Sequence, residues 1–207
     1  DGDPMMFDYS EAGIYSEAKA KHVAWDRHYG RFWKASVLFC DQSQIFPSFI
    51  ETQRTTYGFT PEAEPRIFNA VTGRNLSFAD GMDIGRRIWN LSRAIWVLQG
   101  RHRDLEQFAG FMYKPGAAYG GCGTTTSRIF VISSVGNLLP VFERGEWRYD
   151  ERREMYLDRH GVEQLKTNFF KFEGWDPASG WPRRSTLEKL DLKHVADELA
   201  AHGKLGA

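Results

Sequence analysis

The chain has 207 residues, 42% of them apolar, enough to bury a substantial core in one large domain or two small ones. Lysine plus arginine equal aspartate plus glutamate at 27 each, so no global field points to nucleic acid or an anionic membrane surface. Two cysteines, Cys40 and Cys122, make no disulfide framework, and the sequence shows no apolar run of membrane-spanning length and no signal peptide. The expectation is a globular protein of a reducing, cytoplasmic compartment. The opening "DGDP" carries no initiator methionine, which suggests a processed product, an excised domain or a fragment of a longer polypeptide.

Residues 12 to 39 place Ile14, Ala18, Val23, Trp25, Tyr29, Phe32, Trp33, Val37 and Leu38 at helical spacing, as one helix or as two with a break at Gly30. A second helix starts at Thr60, which can cap with Pro61 in the first turn, and closes at Gly73; its face is Ile67, Phe68 and Val71. The clearest helix follows. Ser77 caps it, Asp80 completes a capping box and Gly100 ends it. Its expected buried stripe is Ile84, Ile88, Leu91, Ile95 and Leu98, with Arg86, Arg87 and Arg93 elsewhere on its surface.

From about 114 to 148 the chain turns rich in glycine and threonine. It contains the β-branched run "RIFVISSV" and a hairpin signal in "PVFERGEWRY", with Gly145 supplying the turn. Helical pattern resumes over 162 to 172 and stops at Gly174, before the turns of "WDPASGWP". Two short helices, about 186 to 190 and 192 to 202, close the chain. The fold class is mainly α: a single helical domain over 1–207, a bundle with a small β-hairpin-containing insertion at about 114–148.

The residues alone nominate no active site. Six histidines, at 22, 28, 102, 160, 194 and 202, form no metal-binding pair with the required carboxylate; His22, Asp26 and His28 come nearest and read more readily as surface polar groups. "GAAYGGCGTTTS" lacks the lysine and the strand-to-helix context of a phosphate loop, and Cys122 has no adjacent base. Cys40, in "FWKASVLFCDQSQ", is open to two readings. An unpaired cysteine packs as a small apolar residue, yet one at a helix end before a polar turn sits where a thiolate can be stabilised by a cation or metal.

Three blocks in order resemble the C-terminal helical domain of the tungsten-containing aldehyde ferredoxin oxidoreductases. "GRRIWNLSRAIWVLQG" is similar to the family pattern G-E-R-x-x-N-L-x-R-x-F-N-x-R-x-G through Gly85, Arg87, Asn90, Leu91, Arg93 and Gly100, and is preceded by "AVTG" as in the family. "FFKFEGWDPASGWPRRSTLEKLDL" is similar to the ending Y-Y-x-x-R-G-W-D-x-x-G-x-P-x-x-x-x-L-x-x-L-G-L through Gly174, Trp175, Asp176, Gly180, Pro182, Leu187, Leu190 and Leu192. The third block is residues 35 to 40, where the family carries D-x-x-G-L-C at a helix end. The resemblance covers roughly 14 to 105 and 160 to 205.

The resemblance implies that Cys40 is the last of four ligands to a 4Fe–4S cluster, and that Ala35, Leu38, Phe39 and Asp41 line a tungsten or molybdenum bis-pyranopterin. It implies oxidation of an aldehyde to a carboxylic acid by a larger enzyme, with the remaining cluster ligands upstream of this chain. The isolated chain is then expected to be inactive. The implied partners are that upstream part, ferredoxin or another electron-transfer protein, and a second copy in a homo-oligomer, with no nucleic acid and no membrane. Departures stand beside the matches. Ala35 and Leu38 replace the aspartate and glycine of D-x-x-G-L-C, and Ile95, Trp96 and Leu98 replace phenylalanine, asparagine and arginine in the long helix. They put the substrate in question more than the fold, and they leave an alternative: a non-catalytic helical binding or assembly module derived from such an enzyme.

Overall fold

The computed structural model describes residues 3–37, 63–113, 138–151 and 157–207. Among the described residues seven α-helical segments and one hairpin follow in order: α1 (Glu17–Tyr29), α2 (Ala35–Val37), α3 (Ala63–Thr72), α4 (Phe78–Leu98), β1 (Leu138–Glu143), β2 (Glu146–Glu151), α5 (Arg159–Glu173), α6 (Arg184–Lys189) and α7 (Lys193–Ala201). The fold is mainly α with a small antiparallel hairpin, as the sequence pattern implies. The chain divides into two compact units: residues 24–101 with 181–207, and residues 1–23 with 102–180.

In the first of these, α4 is the central rod. Ser77 accepts from the Asp80 N–H at 3.1 Å while the Asp80 carboxylate accepts from the Ser77 N–H at 2.8 Å, the expected reciprocal cap. At the other end Gly100 bonds to the Val97 carbonyl and Arg101 to the Trp96 carbonyl, a closed C-terminal turn. Between the caps, the buried residues are Gly81, Gly85, Trp89, Asn90, Arg93, Ala94 and Val97.

This overturns the middle of the expected buried stripe, while Ile84 and Leu98 at its two ends are half-buried, Leu98 against the core formed with residues 187–199. Ile88, Leu91 and Ile95 are 37%, 39% and 49% exposed, whereas Arg93 is 2% exposed. The cause is the closeness of the neighbouring helix. A Cβ at Gly85 would run into the carbonyl of His28, and one at Gly81 into the ring of Trp33. Only small residues allow that approach, so glycines one turn apart mark the packed face and large aliphatics fall outside it. The same correction applies to Val71 on α3, which is 80% exposed, and to His28, which is buried rather than on the surface.

The C-terminal half of α4 joins α6 and α7 in a core of Ala94, Val97, Leu187, Leu192, Val195, Ala196 and Leu199. Lys204 Nζ donates to the Leu98 carbonyl at 2.9 Å, where a cation suits the negative end of the helix. α6 ends at Asp191, whose φ of 55° is left-handed, with Leu192 N–H bonded back to the Leu187 carbonyl at 2.9 Å. The family pattern has glycine at this position.

In the other unit, Asp8 is the tie. Its carboxylate accepts from the N–H of Ser10, the Ser10 hydroxyl and the N–H of Phe142 on β1, each at 2.8–2.9 Å. Burial raises the Asp8 pKa, but the Phe142 and Ser10 donors outweigh it and hold the group below its ordinary value. The hairpin turns through Arg144 and Gly145, at φ 55° and 85°, a two-residue loop of the kind that fits strand twist. Asp158, not singled out by its sequence context, caps α5 and starts it three residues earlier than the periodicity suggests. Arg103 braces that helix, donating to the Glu163 carboxylate at 2.7 Å, the Glu163 carbonyl at 2.9 Å and the Pro177 carbonyl at 2.7 Å. The residues 114–137, with "RIFVISSV", the glycine-rich stretch and Cys122, lie outside the described residues, as do Thr60 and Pro61.

Three outcomes follow in unfolding experiments. Gly85→Ala should lower stability by about 1–3 kcal/mol, because a methyl group meets backbone, whereas Gly110→Ala, with open space at its Cβ, should stay within about 0.5 kcal/mol. Asp191→Gly should raise the urea midpoint by an amount worth about 0.5 kcal/mol, since glycine tolerates the left-handed conformation. Asp8 contributes stability above its unfolded pKa of about 3.9 that is lost as pH falls through its lower folded value. The acid limb of a stability-against-pH curve should therefore flatten in Asp8→Asn.

Candidate functional site

The segment leading to Cys40 is one helix with a wide turn in it. α1 runs to Tyr29, Gly30–Lys34 forms a π turn, and α2 carries the helix on to Val37. The sequence raises the choice between one helix and a break at Gly30; the structure has a continuous helix whose hydrogen-bond pattern changes there. A π turn carries an extra residue, so it rotates everything beyond it relative to α1. Phe32 and Trp33 thereby both meet Phe68 on α3, with ring centres 5.3 and 5.9 Å apart.

Trp33 is the anchor of this turn. It is fully buried, its indole N–H donates to the Phe78 carbonyl at 3.1 Å, and its ring lies over Gly81. Trp25 and Tyr29 stack at 5.1 Å, and both approach Phe78. The Tyr29 hydroxyl is held protonated: burial and a hydrogen bond to the buried Glu64 raise its pKa far above the ordinary phenol range. Wide aromatic contact on one side and glycine contact on the other fix where the helix points as it leaves Val37.

Of the candidate ligands, Ala35 is described and sits in the first position of α2, exposed, its N–H bonded to the Phe32 carbonyl. Its methyl group offers no polar atom to a pterin. Leu38, Phe39, Cys40 and Asp41 lie outside the described residues. Among the described residues no three histidine, cysteine or acidic side chains converge on one point. His22 lies against the Phe7 ring at 5.8 Å.

The feature that sequence patterning missed is on α4 itself. Arg27 and Arg31 lie over Trp89, and Arg31 and Arg101 over Trp96, with ring-to-guanidinium distances of 4.8–6.0 Å. The only available signal was the i, i+4 spacing of Arg27 and Arg31 beside the i, i+7 spacing of the tryptophans, which gives two rows but not their meeting.

Residues 3–192 match the family described as "Aldehyde ferredoxin oxidoreductase, domains 2 & 3". That span takes in both units, the segment around Cys40 and the long helix with its capping box. The chain belongs to the aldehyde ferredoxin oxidoreductase family, as part of an oxidoreductase whose other domains lie in the same enzyme.

Proposed function

We propose that the chain is the C-terminal part of a tungsten or molybdenum bis-pyranopterin, iron–sulfur oxidoreductase that oxidises an aldehyde to a carboxylic acid and delivers electrons to a ferredoxin-type carrier in the cytoplasm. The observation that carries this reading is the family match across residues 3–192, a span that includes Cys40 in sequence, three residues after the described helix. Among the described residues no helix is long and apolar enough to cross a membrane, which is compatible with that setting.

The residues fit the two implied groups unequally. A cysteine thiolate is the normal donor to an iron–sulfur cluster, so Cys40 would hold one corner of a 4Fe–4S cluster, with three further ligands from upstream sequence. Ala35 stands where the family pattern has aspartate, and supplies only a methyl group and backbone. Here the pterin side would be lined by Ala35, Leu38 and Phe39 as apolar contacts, with Asp41 as the one carboxylate. When bound, the metal–pterin centre supplies two-electron oxidation of the substrate and the cluster supplies single-electron relay.

What this chain does toward that chemistry is positional. Trp33, locked over Gly81 and bonded to Phe78, fixes the direction of the helix as far as Val37. The buried Tyr29–Glu64 pair stiffens the same helix from its inner side. With a pterin bound, Ala35, Leu38 and Phe39 would exclude water from the cofactor edge.

A second reading has one specific observation behind it. The missing carboxylate at Ala35 suits a non-catalytic binding or assembly module descended from such an enzyme. The two readings separate in the intact enzyme. Cys40→Ser should abolish or strongly perturb the cluster's electron paramagnetic resonance signal, and Cys122→Ser should leave it intact. An unchanged spectrum in Cys40→Ser would return Cys40 to the core, and absence of tungsten and molybdenum from the native protein would favour the module. The isolated 207-residue chain should bind no stoichiometric iron, since its two cysteines fall short of the four ligands a 4Fe–4S cluster takes.

A further inference from the structure

The hairpin of β1 and β2 is closed on one edge and open on the other. Its two-residue loop at Arg144 and Gly145 makes Glu143 and Glu146 a hydrogen-bonded pair, and the register then alternates, so Val141 with Arg148 and Leu139 with Asp150 use their backbone groups inside the hairpin. The intervening residues point their N–H and C=O groups outward. On the β1 side these are taken: Phe142 N–H donates to the Asp8 carboxylate at 2.9 Å, the Pro140 carbonyl accepts from Tyr9 N–H at 3.0 Å, and Pro140 has no N–H to offer. On the β2 side the outward residues are Trp147 and Tyr149, and no backbone group among the described residues bonds to theirs.

The same two residues carry the exposed aromatic surface of the hairpin. Pro140, Phe142, Trp147 and Tyr149 share one face, with the Phe142 and Trp147 rings 5.3 Å apart, while the opposite face holds Val141, which is fully buried. Trp147 is 42% exposed and Tyr149 73%. A two-stranded hairpin is at the lower limit of sheet stability, and an open edge beside exposed aromatics is a template for a further strand. Glu146, Arg148 and Asp150 alternate with these aromatics along β2, so that edge presents a row of charges of both signs. Arg148 already bonds to Glu143 at 2.6 Å within its own hairpin, which holds the guanidinium in place along the strand.

We propose that β2 pairs edge to edge with β2 of a second copy of this chain, antiparallel across a two-fold axis beside Tyr149, so that two hairpins join in one four-stranded sheet. Charge complementarity selects both the occupant and the register. An axis at Arg148 would set Arg148 against its own copy and Glu146 against Asp150, like charges directly opposed. An axis at Tyr149 sets each Arg148 opposite an Asp150, brings the two Tyr149 side chains together, and runs the ladder from Trp147 to Glu151 within the strand. An axis at Trp147 also pairs opposite charges, Glu146 with Arg148, but it places Tyr149 opposite Gly145 in the turn and shortens the ladder. A contact of this length falls in the class below ~1,200 Å², so the dimer is reversible and depends on concentration. The hairpin lies outside the stretches 14–105 and 160–205 that carry the family resemblance, so this contact is a property of the chain's own insertion.

The test is sedimentation velocity of the full-length protein over a range of concentrations at low salt. The wild type should form a dimer that dissociates on dilution. Arg148→Asp and Asp150→Arg each set like charges face to face at two places, and each should weaken association at least tenfold. An equimolar mixture of the two variants restores opposite charges across the axis and should recover the dimer. Tyr149→Pro removes one outward N–H and leaves the ladder to β1 intact, so it should abolish the dimer, whereas Tyr149→Thr, which keeps that N–H, should weaken it less than threefold. A wild type that stays monomeric at every concentration overturns the proposal, and so does association that neither charge reversal alters. A mixture that remains dissociated would assign the charge effects to folding, and loss in Arg148→Asp without loss in Asp150→Arg would move the axis away from Tyr149; either also overturns it. The redox function stands or falls separately, on the cluster signal of the intact enzyme, which none of these substitutions should change.

Discussion

The contact on which the unit of residues 24–101 and 181–207 depends is the approach of α4 to α1 and its π turn, where Gly85 meets the His28 carbonyl and Gly81 meets the Trp33 ring. Neither position has room for a side chain. Removing two side chains gives up the apolar area they would have buried, and the neighbouring aromatics make up that loss: Trp33 is fully enclosed and meets Phe32, Phe68 and Phe78. With the helices this close, the direction of the segment leading to Cys40 is set by rigid ring-on-backbone packing rather than by adjustable aliphatic contacts. That matters for any metal-ligating role, since a ligand held by a loose helix end samples too many positions to define a cluster.

Much of the architecture was legible because its signals are local. Ser77 with Asp80, the turn at Gly100, the hairpin at Gly145 and the stop at Gly174 each depend on a few neighbouring residues and on backbone conformations that few residue types accept. Asp158 was not picked out, because a lone aspartate before a weakly periodic stretch resembles many surface aspartates. The orientation of α4 was not legible for a different reason. Periodicity reports that a helix has an apolar face, and the sequence shows one at Ile84, Ile88, Leu91, Ile95 and Leu98. It does not report which neighbour is close enough to exclude large side chains. Glycine was the informative residue there, and a hydrophobicity scale gives it little weight.

The candidate site was legible in a narrower sense. Cys40 stood out only through the order of blocks around it, and the family match supports that order. Nothing in the local sequence distinguishes a ligand thiol from a packed one, because both favour helix ends and apolar flanks. The Arg–Trp ladder was illegible because its members come from the two ends of a 75-residue span and meet only when α4 packs back against α1 and its π turn. Long-range pairings of that kind leave no periodicity in either partner.

The π turn at Gly30–Lys34 has a consequence for how this segment can vary. An α-helix advances about 100° per residue, so the one additional residue in the wide turn sets the azimuth of everything that follows. Deleting a single residue there would let ordinary helix close up, keep Trp25 and Tyr29 where they are, and swing α2 by more than a quarter turn. The length of the helix and the heading of the chain at Val37 are thus encoded separately: the first by the number of turns before Gly30, the second by one inserted residue after it.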